Sequence, residues 1–147
     1  MANIQKKTIG LLGGSFDPAH RGHLGISKIA LKKFKLKKIY WVITRKNPFK
    51  KKTFYSLDER IKHAKKITKY QKEIKTIYLD NIIKSSRIID VINYLIKKKK
   101  INNIIFIIGS DNLIRFHKWK SWKKIVKLVK LVVFSRKGYD KKGMKSI

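Results

Sequence analysis

The sequence predicts a doubly wound α/β domain, with a five-stranded parallel sheet and helices on both faces. Three observations predict it. Short, wholly apolar runs recur along the chain, as strands buried on both faces require. Segments of helical period lie between these runs, so each strand is followed by a crossover. A glycine-rich stretch directly follows the first run, where such sheets bind ligands.

The elements follow in order. The strand runs are Thr8–Leu12, Ile39–Ile43, Ile74–Leu79, Ile104–Ile108 and Leu128–Phe134. The first helix, near His23–Phe34, gathers Leu24, Ile26, Ile29, Ala30, Leu31 and Phe34 largely on one side. The second, Leu57–Thr68, opens with Ser56 and has Glu59 three residues on, the spacing of a capping box. The third, about Arg87–Lys97, takes Ser86 as its N-cap. A fourth covers Asp111–Phe116 and a fifth about Trp119–Val126.

A chain of 147 residues with two prolines, eight glycines and no Ser/Gly-rich linker is expected to be one domain over residues 1–147. It has no cysteine, which excludes disulfide frameworks, thiolate metal sites and thiol catalysis. Met1–Lys7 reads as neither a signal peptide nor a membrane span, and the expected location is cytoplasmic. The net charge of +31 comes from 39 Lys and Arg against 8 Asp and Glu. Such charge suits a nucleic-acid binder. Yet 33 of the cations are lysines dispersed along the chain, beside 24 isoleucines, the signature of AT-rich coding. A nucleic-acid partner is therefore not expected, although the field should draw in small anions such as nucleotides.

After the first strand comes Gly13-Gly14-Ser15-Phe16-Asp17-Pro18-Ala19-His20-Arg21-Gly22-His23. The glycines let backbone N–H groups approach an anion that a side chain would block. His20 and His23, three apart at a helix start, project toward one side, and the helix turns its positive end to the same place. Two imidazoles with a helix terminus suit charge developing on a phosphoryl group. No third ligand stands beside them, so no protein metal site is expected.

This eleven-residue string resembles the signature of the HxGH nucleotidylyltransferases, Rossmann-like enzymes that join a nucleoside triphosphate to a phosphate acceptor and release pyrophosphate. The rest of the chain is similar to the bacterial nicotinate-nucleotide adenylyltransferases in three stretches: Phe106-Ile107-Ile108-Gly109-Ser110-Asp111-Asn112-Leu113, Phe116-His117-Lys118-Trp119-Lys120-Ser121-Trp122, and Val132-Val133-Phe134-Ser135-Arg136-Lys137-Gly138-Tyr139. Asn47-Pro48-Phe49-Lys50 and Leu57-Asp58-Glu59-Arg60 are weaker echoes. The resemblance implies adenylyl transfer from ATP to nicotinate mononucleotide, a step of NAD synthesis, with magnesium accompanying ATP. It implies His20 and His23 as the catalytic pair. Gly13, Gly14, Ser15, Phe16, Gly109 and Asp111 would join them around ATP. Ser15, Phe16, Asp90 and Trp119 would meet the acceptor, with the Trp119 ring against the pyridine. Lys46 and Lys50, near the second strand end, are candidates for phosphate contact, Lys46 with the acceptor, and Trp122, three residues after Trp119, has the spacing of the buried helix face.

Two departures matter. Arg87 and Ile88 replace the Tyr and Thr that precede the family's aspartate at Asp90. The sequence also ends at Gly143-Met144-Lys145-Ser146-Ile147 without the family's Ile-Ser-Ser/Thr-x-x-Arg loop, from which slow turnover is expected. Two other readings stand beside the first. One keeps the chemistry with nicotinamide mononucleotide or phosphopantetheine as acceptor; the other is a basic nucleic-acid-binding protein on a degenerate nucleotide-binding fold.

Overall fold

A computed structural model describes residues 7–45 and 52–135, and the backbone of 144–146. Its five parallel strands are β1 (Thr8–Gly13), β2 (Lys38–Val42), β3 (Ile74–Ile77), β4 (Asn103–Gly109) and β5 (Lys130–Phe134). A short β6 (Met144–Ser146) pairs antiparallel with β5, giving the order β3-β2-β1-β4-β5-β6. The five expected strands are thus all present, and β6 is an addition: three residues carry no readable period.

The helices are α1 (Arg21–Lys33), α2 (Leu57–Ile67), α3 (Asp80–Ile83), α4 (Ile88–Lys97), α5 (Ser110–Arg115) and α6 (Trp122–Leu128), with a 3-10 turn at Phe116–Lys118. Among the described residues no helix is long and apolar enough to cross a membrane.

Period-two alternation divides the core between the two faces of the sheet. Leu12, Ile39, Trp41, Ile43, Ile105 and Ile107 pack beneath α1 and α2. Leu11, Val42, Ile104, Phe106 and Ile108 face the opposite way and join Val91, Ile92 and Leu95 of α4 and Ile125 of α6. Each central strand therefore reads as continuously apolar.

Strand order reverses between β1 and β4, which pair in register from Thr8↔Asn103 to Leu12↔Ile107. After β1 the chain goes to α1 on one face; after β4 it goes toward α6 on the other. A crevice opens at the carboxyl ends of these two strands. Gly13 closes β1 and Gly109 closes β4, so both flank that crevice.

Three local details differ from the sequence reading. Arg87, not Ser86, occupies the N-cap of α4, because Ser86 is drawn away to Asp80. Ser85 Oγ instead accepts from Arg87 N at 3.0 Å. The last helix begins at Trp122 because Ser121, at φ 58°, breaks the chain direction after Trp119. Leu128 accordingly ends α6 and does not begin β5.

Candidate active site

The glycine loop runs from the end of β1 to the start of α1. Its left-handed residue is Phe16, at φ 48°, and no glycine among the described residues has a positive φ. A bulky residue pays a conformational penalty there. Burial offsets it: the Phe16 ring is 1% exposed and stacks on Trp41, with centroids 5.3 Å apart. The turn thus sends the Phe16 side chain into the core. Only the Phe16 backbone, with Gly14 and Ser15, is left to face a ligand.

The role of Gly13 is space. A Cβ there would lie 3.1 Å from the Phe106 ring. At Gly109 a Cβ would meet Asp111 Oδ1 at 2.6 Å, so the Asp111 carboxylate can lie over this strand end only because Gly109 has no side chain.

The two histidines cap α1 reciprocally. His20 is the N-cap, and its Nδ1 accepts from Gly22 N at 3.0 Å. His23 Nδ1 accepts from His20 N at 3.1 Å. A ring nitrogen that accepts a backbone N–H carries no proton, so each neutral imidazole holds its proton on Nε2. The rings lie 4.0 Å apart by centroid, and His23 also packs on Phe16 at 4.6 Å. Trp41 Nε1 donates to Ser27 Oγ at 2.7 Å, and Ser27 Oγ donates to the His23 carbonyl at 2.8 Å. This relay ties the first turn of α1 to β2. The capping geometry therefore fixes two imidazoles as Nε2–H donors.

Long-range bonds hold the loop from behind. Arg60, in α2, is only 2% exposed. Its Nη1 donates to the Ser15 carbonyl at 3.1 Å and to the Thr44 carbonyl at 2.9 Å, and Nη2 donates to the Arg45 carbonyl at 3.3 Å. Asp17 accepts from Phe54 N at 2.6 Å and Tyr55 N at 2.8 Å, which fastens the approach to α2. Sequence reading gave Arg60 no role, although the signal was present: arginine is rare in this lysine-rich chain.

On the α4 and α6 face of the sheet lies a cavity of about 380 Å³. Gly13, Gly14, Phe106 and Trp119 form much of its apolar lining. Its charged lining residues are Arg87, Lys118 and Lys120, all cationic. Trp119 stands against Phe106 and Phe116, with centroids at 5.9 and 5.4 Å. Trp122 packs into the same cluster, edge-on to Phe116.

Asp80 braces the cavity wall. Its Oδ2 accepts from Arg45 N at 2.7 Å and from Ser86 Oγ at 2.5 Å, joining the end of β2 to the approach to α4. The Arg45 side chain donates to Tyr78 Oη, a bond that raises the guanidinium above its ordinary pKa.

The structure thus brings Gly13, Gly14 and Trp119 to one cavity, and His20 and His23 to the other end of the same loop. Asp90 accepts from Ser85 Oγ at 2.5 Å and lines a neighbouring recess beside Asp80, apart from Trp119. Lys46 and Lys50 lie outside the described residues, as do Asn47–Phe49 and Arg136–Tyr139.

A family model described as cytidylyltransferase-like matches residues 11–146. The probable nicotinate-nucleotide adenylyltransferase of Pelagibacter ubique is 54% identical over 144 residues, covering 97% of this chain and 79% of that protein. Its namesake in a Ruegeria species is 36% identical over 131 residues, covering 89% and 69%. The fold is similar to that of Plasmodium falciparum nicotinic acid mononucleotide adenylyltransferase complexed with NaAD, at TM-score 0.72 and 20% identity, over 91% of this chain and 67% of that one. The chain belongs to the cytidylyltransferase-like nucleotidyltransferases and, among them, to the nicotinate-nucleotide adenylyltransferases.

Proposed function

We propose that this protein transfers the adenylyl group of ATP to nicotinate mononucleotide through the glycine loop, with the acceptor in the Trp119 cavity and ATP on the His20–His23 side. One observation carries this reading. A single loop, Gly13 to His23, has an aromatic, cation-rimmed cavity at one end and two preset imidazole donors at the other. Two ligands on either side of that loop would meet across it.

The acceptor's phosphate oxygen attacks the α-phosphorus of ATP. The bond from that phosphorus to the bridging oxygen of the β-phosphate breaks, and pyrophosphate leaves. The nucleophile is already ionised, so no general base is needed. Catalysis is alignment together with stabilisation of the charge that builds on the phosphate oxygens. His20 and His23 supply Nε2–H donors to that charge, and Gly14 and Ser15 add backbone contacts. Asp111, beside Gly109 at the end of β4, would accept from ribose hydroxyls.

His20 and His23 offer the triphosphate Nε2–H donors on one side, which leaves its other oxygens for a divalent cation, so the site fits magnesium. Held mainly by phosphate oxygens and water, the ion would draw electron density from the reacting phosphorus. The cytoplasm, where ATP is made available, is the compartment for this reaction.

Arg87, Lys118 and Lys120 favour the acid over the amide, because a nicotinate carboxylate and a 5′-phosphate both gain from cations at the cavity mouth. The test is an acceptor panel of nicotinate mononucleotide, nicotinamide mononucleotide and phosphopantetheine, each with ATP and magnesium, scored by pyrophosphate release. Nicotinate mononucleotide should give the highest kcat/KM. A higher value for either of the others would overturn the assignment.

A further inference from the structure

We infer that the pole of the sheet opposite the candidate active site is a binding surface for a single-stranded polynucleotide. Many of the lysines that look dispersed along the sequence are gathered there by the topology. All five parallel strands start at that pole, and each is entered through lysine: Lys7 before β1, Lys37–Lys38 into β2, Lys72 before β3, Lys97–Lys100 before β4 and Lys130 into β5. The crossover helices end there too, with Lys32–Lys33 closing α1 and Lys65–Lys66 closing α2.

Acidic residues are partitioned the other way. Asp58, Glu59, Asp80, Asp90 and Asp111 occupy first turns of helices at the active-site pole, and Asp17 lies in the glycine loop. Among the described residues Glu73, just before β3, is the one carboxylate at the lysine pole.

Helix dipoles account for only part of this division. They favour carboxylates in first turns and cations in last turns. They do not call for Lys7, Lys37, Lys72 or Lys98–Lys100, which lie in loops or strand starts. These ammonium groups crowd one another: hydrogen bonding to Lys7 and repulsion from it hold Lys37 below the ordinary lysine range. A polyanion would relieve that crowding.

The same pole carries features for unpaired bases. The Tyr70 ring is 84% exposed, with Lys69 Nζ 5.5 Å from its centroid. A polar recess of about 340 Å³ between Phe34, Asn102, Asn103 and Lys127 adds amide groups. Cations along a backbone with an exposed ring beside them suit a single strand, whose bases are free to stack. A lipid surface fits less well, because Tyr70 and the partly exposed Leu128 are too few apolar groups to insert.

The test is fluorescence anisotropy with a labelled single-stranded oligonucleotide of about 16 nucleotides, at roughly physiological salt. Wild type is compared with the fourfold variant Lys97→Glu, Lys98→Glu, Lys99→Glu, Lys100→Glu. A charge-matched control carries Lys28→Glu, Lys52→Glu, Lys62→Glu and Lys123→Glu, all exposed and outside the pole. The pole variant should bind at least about tenfold more weakly, with a salt dependence shallower by roughly three in log–log slope. The control should lose about threefold or less from long-range charge alone, and both variants should keep wild-type adenylyl transfer. Tyr70→Ala should weaken the single strand about tenfold and leave a duplex of equal charge nearly unaffected. RNA and DNA strands of one sequence tell which polymer is preferred, and binding of either supports the surface. Equal losses in the two fourfold variants would overturn it, as would no binding at this salt or capture by phosphatidylserine vesicles but not by the oligonucleotide.

Discussion

The Arg60 guanidinium donates to the Ser15 carbonyl at 3.1 Å across forty-five residues of sequence. The same head group holds Thr44 and Arg45 at the end of β2, so one buried cation sets the distance between the glycine loop and the neighbouring strand end. Arginine suits this task because its planar fork reaches three carbonyls at once, whereas an ammonium presents a single point.

Arg60→Lys should therefore fold, lose about 1–3 kcal/mol of stability, and turn over roughly tenfold more slowly through a loosened loop. Thermal melts and steady-state kinetics on the same preparation check it. A lowered Tm with wild-type kcat would mean that Arg60 serves the fold alone.

His20 has two roles that one substitution can separate. As N-cap it stabilises α1, and in the proposed reaction it donates from Nε2 to the developing charge. His20→Ala loses both: about 1 kcal/mol of stability and about 10²–10³-fold in kcat. His20→Asn keeps an oxygen able to cap the helix and should recover the Tm without recovering kcat. Recovery of both would reduce His20 to a cap. His23→Ala should show a similar loss in kcat.

Trp119 lines the cavity and leans on Phe106 and Phe116. If its exposed face stacks on the pyridine, Trp119→Ala should raise the KM of the acceptor by about 5- to 150-fold, corresponding to roughly 1–3 kcal/mol, and leave that of ATP nearly unchanged. Matching losses for both substrates, with a lower Tm, would identify Trp119 as core.

What was legible in the sequence follows physical range. Ile104–Ile108 announces β4 because both faces of that strand are covered, and the Ser56–Glu59 spacing announces α2, where Ser56 Oγ accepts from Glu59 N at 3.2 Å. The glycine loop stands out in the sequence as a candidate ligand loop because its glycines and histidines are contiguous. The four-residue α3 was not, since one turn has no period to read. Nor was Asp80, whose bond to Arg45 N spans thirty-five residues, or the capture of Ser86 that moves the cap of α4 to Arg87. The lysine pole shows the same limit on the scale of the fold. Only the parallel topology brings residues as distant as Lys7 and Lys130 to one end of the sheet.

Arg87 offers the sharpest test of acceptor choice. It stands where the resemblance expects a tyrosine, and it joins Lys118 and Lys120 at a cavity with no carboxylate among its described lining residues. Acid and amide acceptors differ by one negative charge on the pyridine ring, so their discrimination depends on the cations near that ring. All three side chains are solvent-exposed, which limits each to a fraction of what a buried pair would give. Removing one charge-assisted contact at such a site should cost about 1 kcal/mol for the acid and almost nothing for the amide. Arg87→Gln should thus lower the acid-to-amide ratio of kcat/KM by about fivefold, and Arg87→Gln with Lys118→Gln by more. The losses should fall on the KM of the acid, with kcat nearly constant, because these contacts form before the phosphorus is attacked. The measurement is a pair of saturation curves per variant, one for each acceptor. If the ratio stays at its wild-type value while both acceptors weaken together, these cations hold the shared 5′-phosphate, and the choice of acid over amide is made elsewhere in the cavity.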